Sequence, residues 1–176
     1  MIHRNALLYW RKHLTLEILL GCAIVIGLYF RLLNLGTREF WYDEVLSLLL
    51  STGQKIKYSL PEEGTIELAQ LTTLLNLPPE GSLSAIAKTL QALIRGLYGG
   101  EPHPPIFFLT QHFWLRLFGN SEIAMRSLPM LWSMGAIAAA YGLGRKLIDH
   151  RGGLLFAALL ATNPFYLFHS LNVRMY

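Results

Sequence analysis

The sequence predicts an all-α polytopic membrane protein: about three transmembrane helices, four at most, with a long external loop of surface helices between the first two. Three observations predict it. Of the 176 residues, 53% are hydrophobic and only 15% charged, with a mean hydropathy of +0.38, which is too apolar for an ordinary soluble domain. Three apolar runs, at 14–33, 127–144 and 152–171, each approach the ~20 residues that cross a bilayer. The basic residues gather at the ends of these runs, where they set topology. The net charge of +4 is therefore a membrane signal, and no nucleic-acid partner is expected. The single Cys22 lies inside the first run, so there is neither a disulfide framework nor a cysteine metal site.

The first span is justified by its flanks. Residues 1–13 carry Arg4, Arg11, Lys12 and two histidines without an acid, and the run 14–33 follows. No small-residue cleavage site comes after it, which argues against a signal peptide. Basic residues before and apolar residues within keep the N-terminus in the cytoplasm and send the span outward. Glu17, one turn into the run, could pair with Lys12 or His13.

The external loop extends over 34–126 and is itself helical. A short helix starts near Asp43 and runs through Val45–Leu50, and Leu60-Pro61 and Gly64 end it. Apolar residues at 68, 71, 74 and 75 give a helical spacing over 66–77, stopped by Pro78-Pro79. Residues 84–97 repeat the pattern, with Gly99-Gly100 as the exit. Such helices, too short or too polar to span, are expected along the membrane surface. The piece 105–118 contains Gln111, His112 and Arg116 and is short for a span. If it crossed, the basic cluster Arg145, Lys146, His150 and Arg151 would fall outside, so it is read as a re-entrant or surface helix. The second span, 127–144, then runs inward and the third, 152–171, outward. Asn163-Pro164 implies a kink or early end in the third, with freed backbone groups that neighbouring helices must satisfy. Ala136, Ala140 and Gly144 recur every fourth position in the second span, a spacing suited to close helix contact.

This topology brings Asp43, Glu44, His103, Arg126 and Arg174 to one level outside the bilayer. Aromatic Phe40, Trp41 and Tyr42 precede the two acids and favour the interface. A carboxylate can act as general base toward a hydroxyl, while arginines neutralise a phosphate leaving group. That pairing suits transfer of a group from a lipid-linked phosphate to a hydroxyl. On a helix the side chains of residues 43 and 44 point about 100° apart and cannot flank one bond. One acid therefore does the chemistry, and Asp43 is chosen as the base. Glu44 would orient it, or bind an acceptor or a cation. Arg126, Arg174 and His103 are the candidates for the donor phosphate. No metal motif is evident, the cofactor is unknown, and a divalent cation beside Asp43 and Glu44 is left open.

Several runs resemble the polytopic lipid-phosphate-dependent glycosyltransferases, which include the protein O-mannosyltransferases and the bacterial aminoarabinose transferases. They are Arg31-x-x-x-Leu35 with Phe40–Glu44, His103–Phe108, Trp114–Gly119, Ser121-Glu122-x-Ala124-x-Arg126-x-Leu128-Pro129, Gly144–Leu147, Asn163–Phe165 and Arg174–Tyr176. The resemblance implies an integral protein of the bacterial plasma membrane that transfers a sugar from a polyprenyl-phosphate donor to a hydroxyl outside the cytoplasm, with inversion. It also implies that the acid of the first external loop, here Asp43, is the base. The closing motif of such enzymes often reads Ser-Gln-Glu-Ala-Arg-Met-Tyr, and this chain has Asn172 where the glutamate stands. The resemblance further implies more spans than 176 residues provide. The chain is therefore expected to be an N-terminal portion whose remaining helices lie elsewhere, a separate chain being one place for them. The rival reading is a catalytically inactive membrane remnant or assembly subunit.

Overall fold

The computed structural model describes residues 2–33, 35–58, 73–78, 81–99 and 103–174, the side chains of 2–13 excepted. Among them every regular element is helical. The helix expected over 66–77 lies largely outside the described residues. The chain divides into two units, one of Met1–Leu35 with Met130–Leu171 and one of Gly36–Pro129 with Asn172–Tyr176.

The first unit contains α1 (Ile2–Leu33), the greater part of α5 (Glu122–Leu147), α6 (His150–Thr162) and α7 (Pro164–Ser170). By length and composition, Leu14–Leu33 and Glu122–Leu147 can each cross a membrane, and α6 with α7 makes a third candidate bent by 65°. An apolar cluster of Ile137, Ala157 and Ala161 packs with Ile24, Leu28 and Tyr141. Gly144, at the end of the small-residue row, lies where a Cβ would press on the backbone of Gly152 and Gly153. The close contact is thus within this chain, between α5 and the start of α6. Midway along α1, Glu17 pairs with Arg151 at 3.0 Å; the side chains of Lys12 and His13 lie outside the described residues.

Two prolines act differently on their helices. Pro164 removes an N–H, and the preceding Asn163 is extended (ψ 118°), its side chain accepting from Tyr166 N at 2.9 Å. A capping asparagine before a proline starts a new helix, so the run breaks there. Pro129 lies inside α5 after an apolar Leu128, and the helix continues. The Met125 carbonyl that Pro129 cannot serve accepts instead from Gln111 Nε2 at 2.7 Å.

The second unit holds α2 (Tyr42–Ser51), a 3₁₀ turn (Lys55–Lys57), α3 (Leu83–Tyr98), α4 (Pro105–Phe118) and the first turns of α5; Val45, Leu48, Leu49, Leu115, Met125 and Val173 share one core cluster, and Leu93 of α3 packs with Leu50 and Phe108 in another. The boundaries have local causes. Ser82 Oγ accepts from Ala85 N at 3.2 Å and starts α3. Pro105 opens α4, and Gly119, at φ +84°, closes it. Helix α2 is the core element: seven of its ten residues are buried. Helix α5 begins at Glu122, before the apolar run at 127, because Ser121 Oγ accepts from Ala124 N at 3.2 Å.

Candidate functional site

The acidic pair stands in the first turn of α2, where carboxylates favour the positive end of the helix dipole. The two side chains have opposite surroundings. Glu44 is 1% exposed. Its Oε2 accepts from Trp41 N at 3.0 Å, so the third residue of the helix reaches back to the N-cap N–H. Its Oε1 accepts from Val173 N at 2.9 Å and from Arg126 Nε at 3.2 Å. Arg126 Nη2 reaches Oε2 at 3.5 Å. Asp43 keeps 46% of its side chain exposed, and Arg174 Nη1 lies 3.2 Å from its Oδ1.

Arg126 is held from every side. Beyond Glu44, Nη1 donates to Arg38 O at 2.8 Å and Nη2 to Glu39 O at 3.2 Å. The guanidinium carbon lies 4.3 Å from the centre of the Phe40 ring. With the side chain 0% exposed, all its donors are engaged by protein. The first turns of α5 are fixed in turn by α4: Trp114 Nε1 donates to Ala124 O at 3.1 Å and to Ser127 Oγ at 2.8 Å, and Gln111 serves Met125. Arg126 therefore ties residues 38–44 to the start of α5.

The segment 172–174 completes the cluster. Asn172, 4% exposed, accepts from Arg38 Nη2 at 3.2 Å through its Oδ1. Val173 N binds Glu44, and Arg174 binds Asp43. Of the residues expected to act together, Asp43, Glu44, Arg126 and Arg174 thus meet. His103 lies half-buried in the bend before α4. Arg38, Phe40 and Asn172 belong to the cluster although none was singled out as a functional candidate. Arg38 stood next to the acids in the sequence, but its partner is 134 residues away.

A second polar group lies behind α2. His112 is fully buried, with Nδ1 2.8 Å from Ser51 O and Nε2 accepting from Arg116 Nε at 3.3 Å. Burial pushes the imidazole below its ordinary value, and the Arg116 charge adds to that against the opposing Ser51 bond. The neutral tautomer with a proton on Nδ1 satisfies both contacts.

For a metal, the donor sets differ from what the adjacent acids suggest. Both Glu44 oxygens already accept protein hydrogen bonds, so a cation bridging Asp43 and Glu44 would have to displace them. Among the described residues, no group of three or more His, Cys, Asp or Glu side chains is placed to hold a metal ion.

The arrangement offers one accessible carboxylate on a rigid helix start, an arginine beside it, and a buried ion pair as its support. Residues 102–175 match the family model described as dolichyl-phosphate-mannose-protein mannosyltransferase. The match supports a glycosyltransferase of the mannosyltransferase type, and the helices long and apolar enough to span make it a membrane protein. The matched stretch includes Arg126, Asn172 and Arg174, while the acidic pair precedes it. No curated protein and no solved structure matches the chain.

Proposed function

We propose that this protein transfers a sugar from a polyprenyl-phosphate donor to a hydroxyl acceptor on the non-cytoplasmic face of the membrane, with inversion, and that Asp43 is the general base. The observation that carries the choice of base is the contrast within the acidic pair. Glu44 is enclosed and its oxygens are occupied, whereas Asp43 is half-exposed at the same helix start. Asp43 takes the proton of the acceptor hydroxyl. The freed oxygen pair bonds to the anomeric carbon from the face opposite the phosphate, and the carbon–oxygen bond to phosphate breaks. Its electron pair leaves on the polyprenyl phosphate.

Glu44 and Arg126 act as positioning residues in this reading, because they fix the turn that presents Asp43. Arg174 lies against the base, and in an inverting displacement the phosphate departs on the far side of the sugar. Its contact with the donor phosphate requires the side chain to turn away from Asp43, which its partial exposure (19%) permits. His103, in the bend before α4, remains a candidate donor to the same phosphate.

The experiment is Asp43→Asn in the whole protein, with transfer from a polyprenyl-phosphate mannose donor as the readout. A lost general base lowers the rate by about 10²–10⁴-fold, and donor binding is retained. Full activity of this variant would remove Asp43 from the mechanism.

A further inference from the structure

Helix α4 turns an apolar face to the core of the second unit, and Gln111 interrupts it. Phe108 and Leu115, three residues before it and four after, are both buried and belong to two of the core clusters. A leucine at 111 would continue that stripe. Gln111 is instead a fully buried amide, and its Oε1 has no hydrogen-bond partner among the described residues. A buried acceptor left unserved costs stability. The offsetting gain lies at the other end of the amide.

There Nε2 donates to Met125 O at 2.7 Å, a carbonyl that α5 cannot serve itself. Its helical donor would be the N–H of residue 129, and Pro129 has none and crowds the carbonyl four positions before it. Met125 N, by contrast, is paired in the ordinary way with Ser121 O at 2.9 Å. Three residues further along α4, Trp114 Nε1 donates to Ala124 O and to Ser127 Oγ. Two side chains of α4 thus grip α5 on both sides of Arg126.

Arg126 is the residue that this grip serves. Its Nε reaches Glu44 Oε1 at 3.2 Å, and each residue of a helix is turned about 100° from the last. The guanidinium therefore meets Glu44 only at one phase of the turn. All of these groups lie in the same unit as Asp43 and Glu44. We infer that Gln111 is a positioning residue for the Asp43 site, matched to Pro129. Its amide replaces the N–H that the proline withholds, sets the phase of residues 124–127 against α4, and so delivers Arg126 to Glu44. The inference rests on reading the Asp43 cluster as the reactive site, but its first test does not require activity.

If the amide stands in for an N–H, returning that N–H makes it dispensable. Hydrogen exchange of the detergent-solubilised whole protein reads residues 125–128 and the Val173 N–H, which is bonded to Glu44. Gln111→Leu should speed exchange at both by about tenfold, as a buried carbonyl left without its donor implies. In a Pro129→Ala background, where residue 129 can donate to Met125 O, the same change should alter exchange by less than about twofold. Gln111→Asn, whose shorter side chain withdraws the amide, carries the same comparison if the Leu variant does not fold. Wild-type exchange in the Gln111 variant, or an equal rise with and without Pro129, would overturn the inference. In a transfer assay, Gln111→Leu should lower kcat with KM unchanged, and adding Pro129→Ala should restore it, a rescue that lost packing would not show. An unchanged kcat beside an active wild type would also overturn it. If the wild-type protein transfers no sugar, the proposed function falls, and the exchange result still decides the role of Gln111.

Discussion

Among the described residues each unit buries one arginine completely, and the two solve the problem by different chemistry. Arg126, in the second unit, has a carboxylate partner, two backbone carbonyls and an aromatic face. Arg31, in the first, has the Gly27 and Ala161 carbonyls, the Ser133 hydroxyl and the Tyr166 ring, and its hydrogen bonds include no carboxylate. A buried charge needs compensation in either case. Where the partner is a carboxylate, the compensation is concentrated in one residue. Where it is a helix end, it is spread over several groups and depends on how closely the backbones approach. The first arrangement is sensitive to a change of charge and the second to a change of shape.

The largest effect expected from this contrast follows loss of the Glu44 carboxylate. Glu44→Ala leaves buried Arg126 with only the exposed Glu122 carboxylate, 4.0 Å away, and should cost about 3 kcal/mol, measured by denaturant unfolding in detergent. Arg126→Met should cost a similar amount, and the double variant less than the sum of the two. Additive losses would show that the pair does not act as one unit.

On the other side, Gly27→Ala changes no charge. Its methyl group would meet the Ala161 carbonyl and force α1 away from the end of α6, at about 1–3 kcal/mol for overpacking. The same change at Gly21, where a Cβ meets nothing, should cost far less. Equal losses at the two positions would mean that Arg31 does not depend on the close approach.

How much of this the sequence revealed divides along the same line. Helix starts and stops were legible where a residue acts on its own backbone. Examples are Pro105 and Gly119 around α4, and Asn163-Pro164 at the break. The helix that carries the expected span 127–144 begins earlier, at Glu122, because Ser121 caps it, and Arg126 inside it is neutralised from 82 residues away. For the same reason the acidic pair could be found but its division of labour could not. Adjacent residues of similar chemistry are separated by burial, and burial is set by α4, α5 and the segment 172–174.

The smallest effect sharpens the comparison with a third basic group. His112 escapes the cost of a buried charge by remaining neutral, its affinity for a proton lowered chiefly by burial. The unfolded chain takes up a proton there at the ordinary histidine value, and the folded chain only at lower pH. Stability is therefore full above that ordinary value, near 6.5, and falls as the pH drops below it. Thermal unfolding between neutral and mildly acidic pH should show this slope, and His112→Asn, which keeps a donor at the Nδ1 position, should flatten it.

The broken run α6–α7 has a consequence for the lipid around it. Thirteen residues of α6 rise about 20 Å and seven of α7 about 10 Å. With α6 along the bilayer normal and α7 turned by 65°, the pair reaches only about 24 Å into a hydrocarbon layer of about 30 Å. A straight helix of the same length would cross it. A run set that way would fall short of the hydrocarbon thickness, a mismatch that bilayers and proteins meet by local thinning, by snorkelling of flanking residues or by covering the end with another helix.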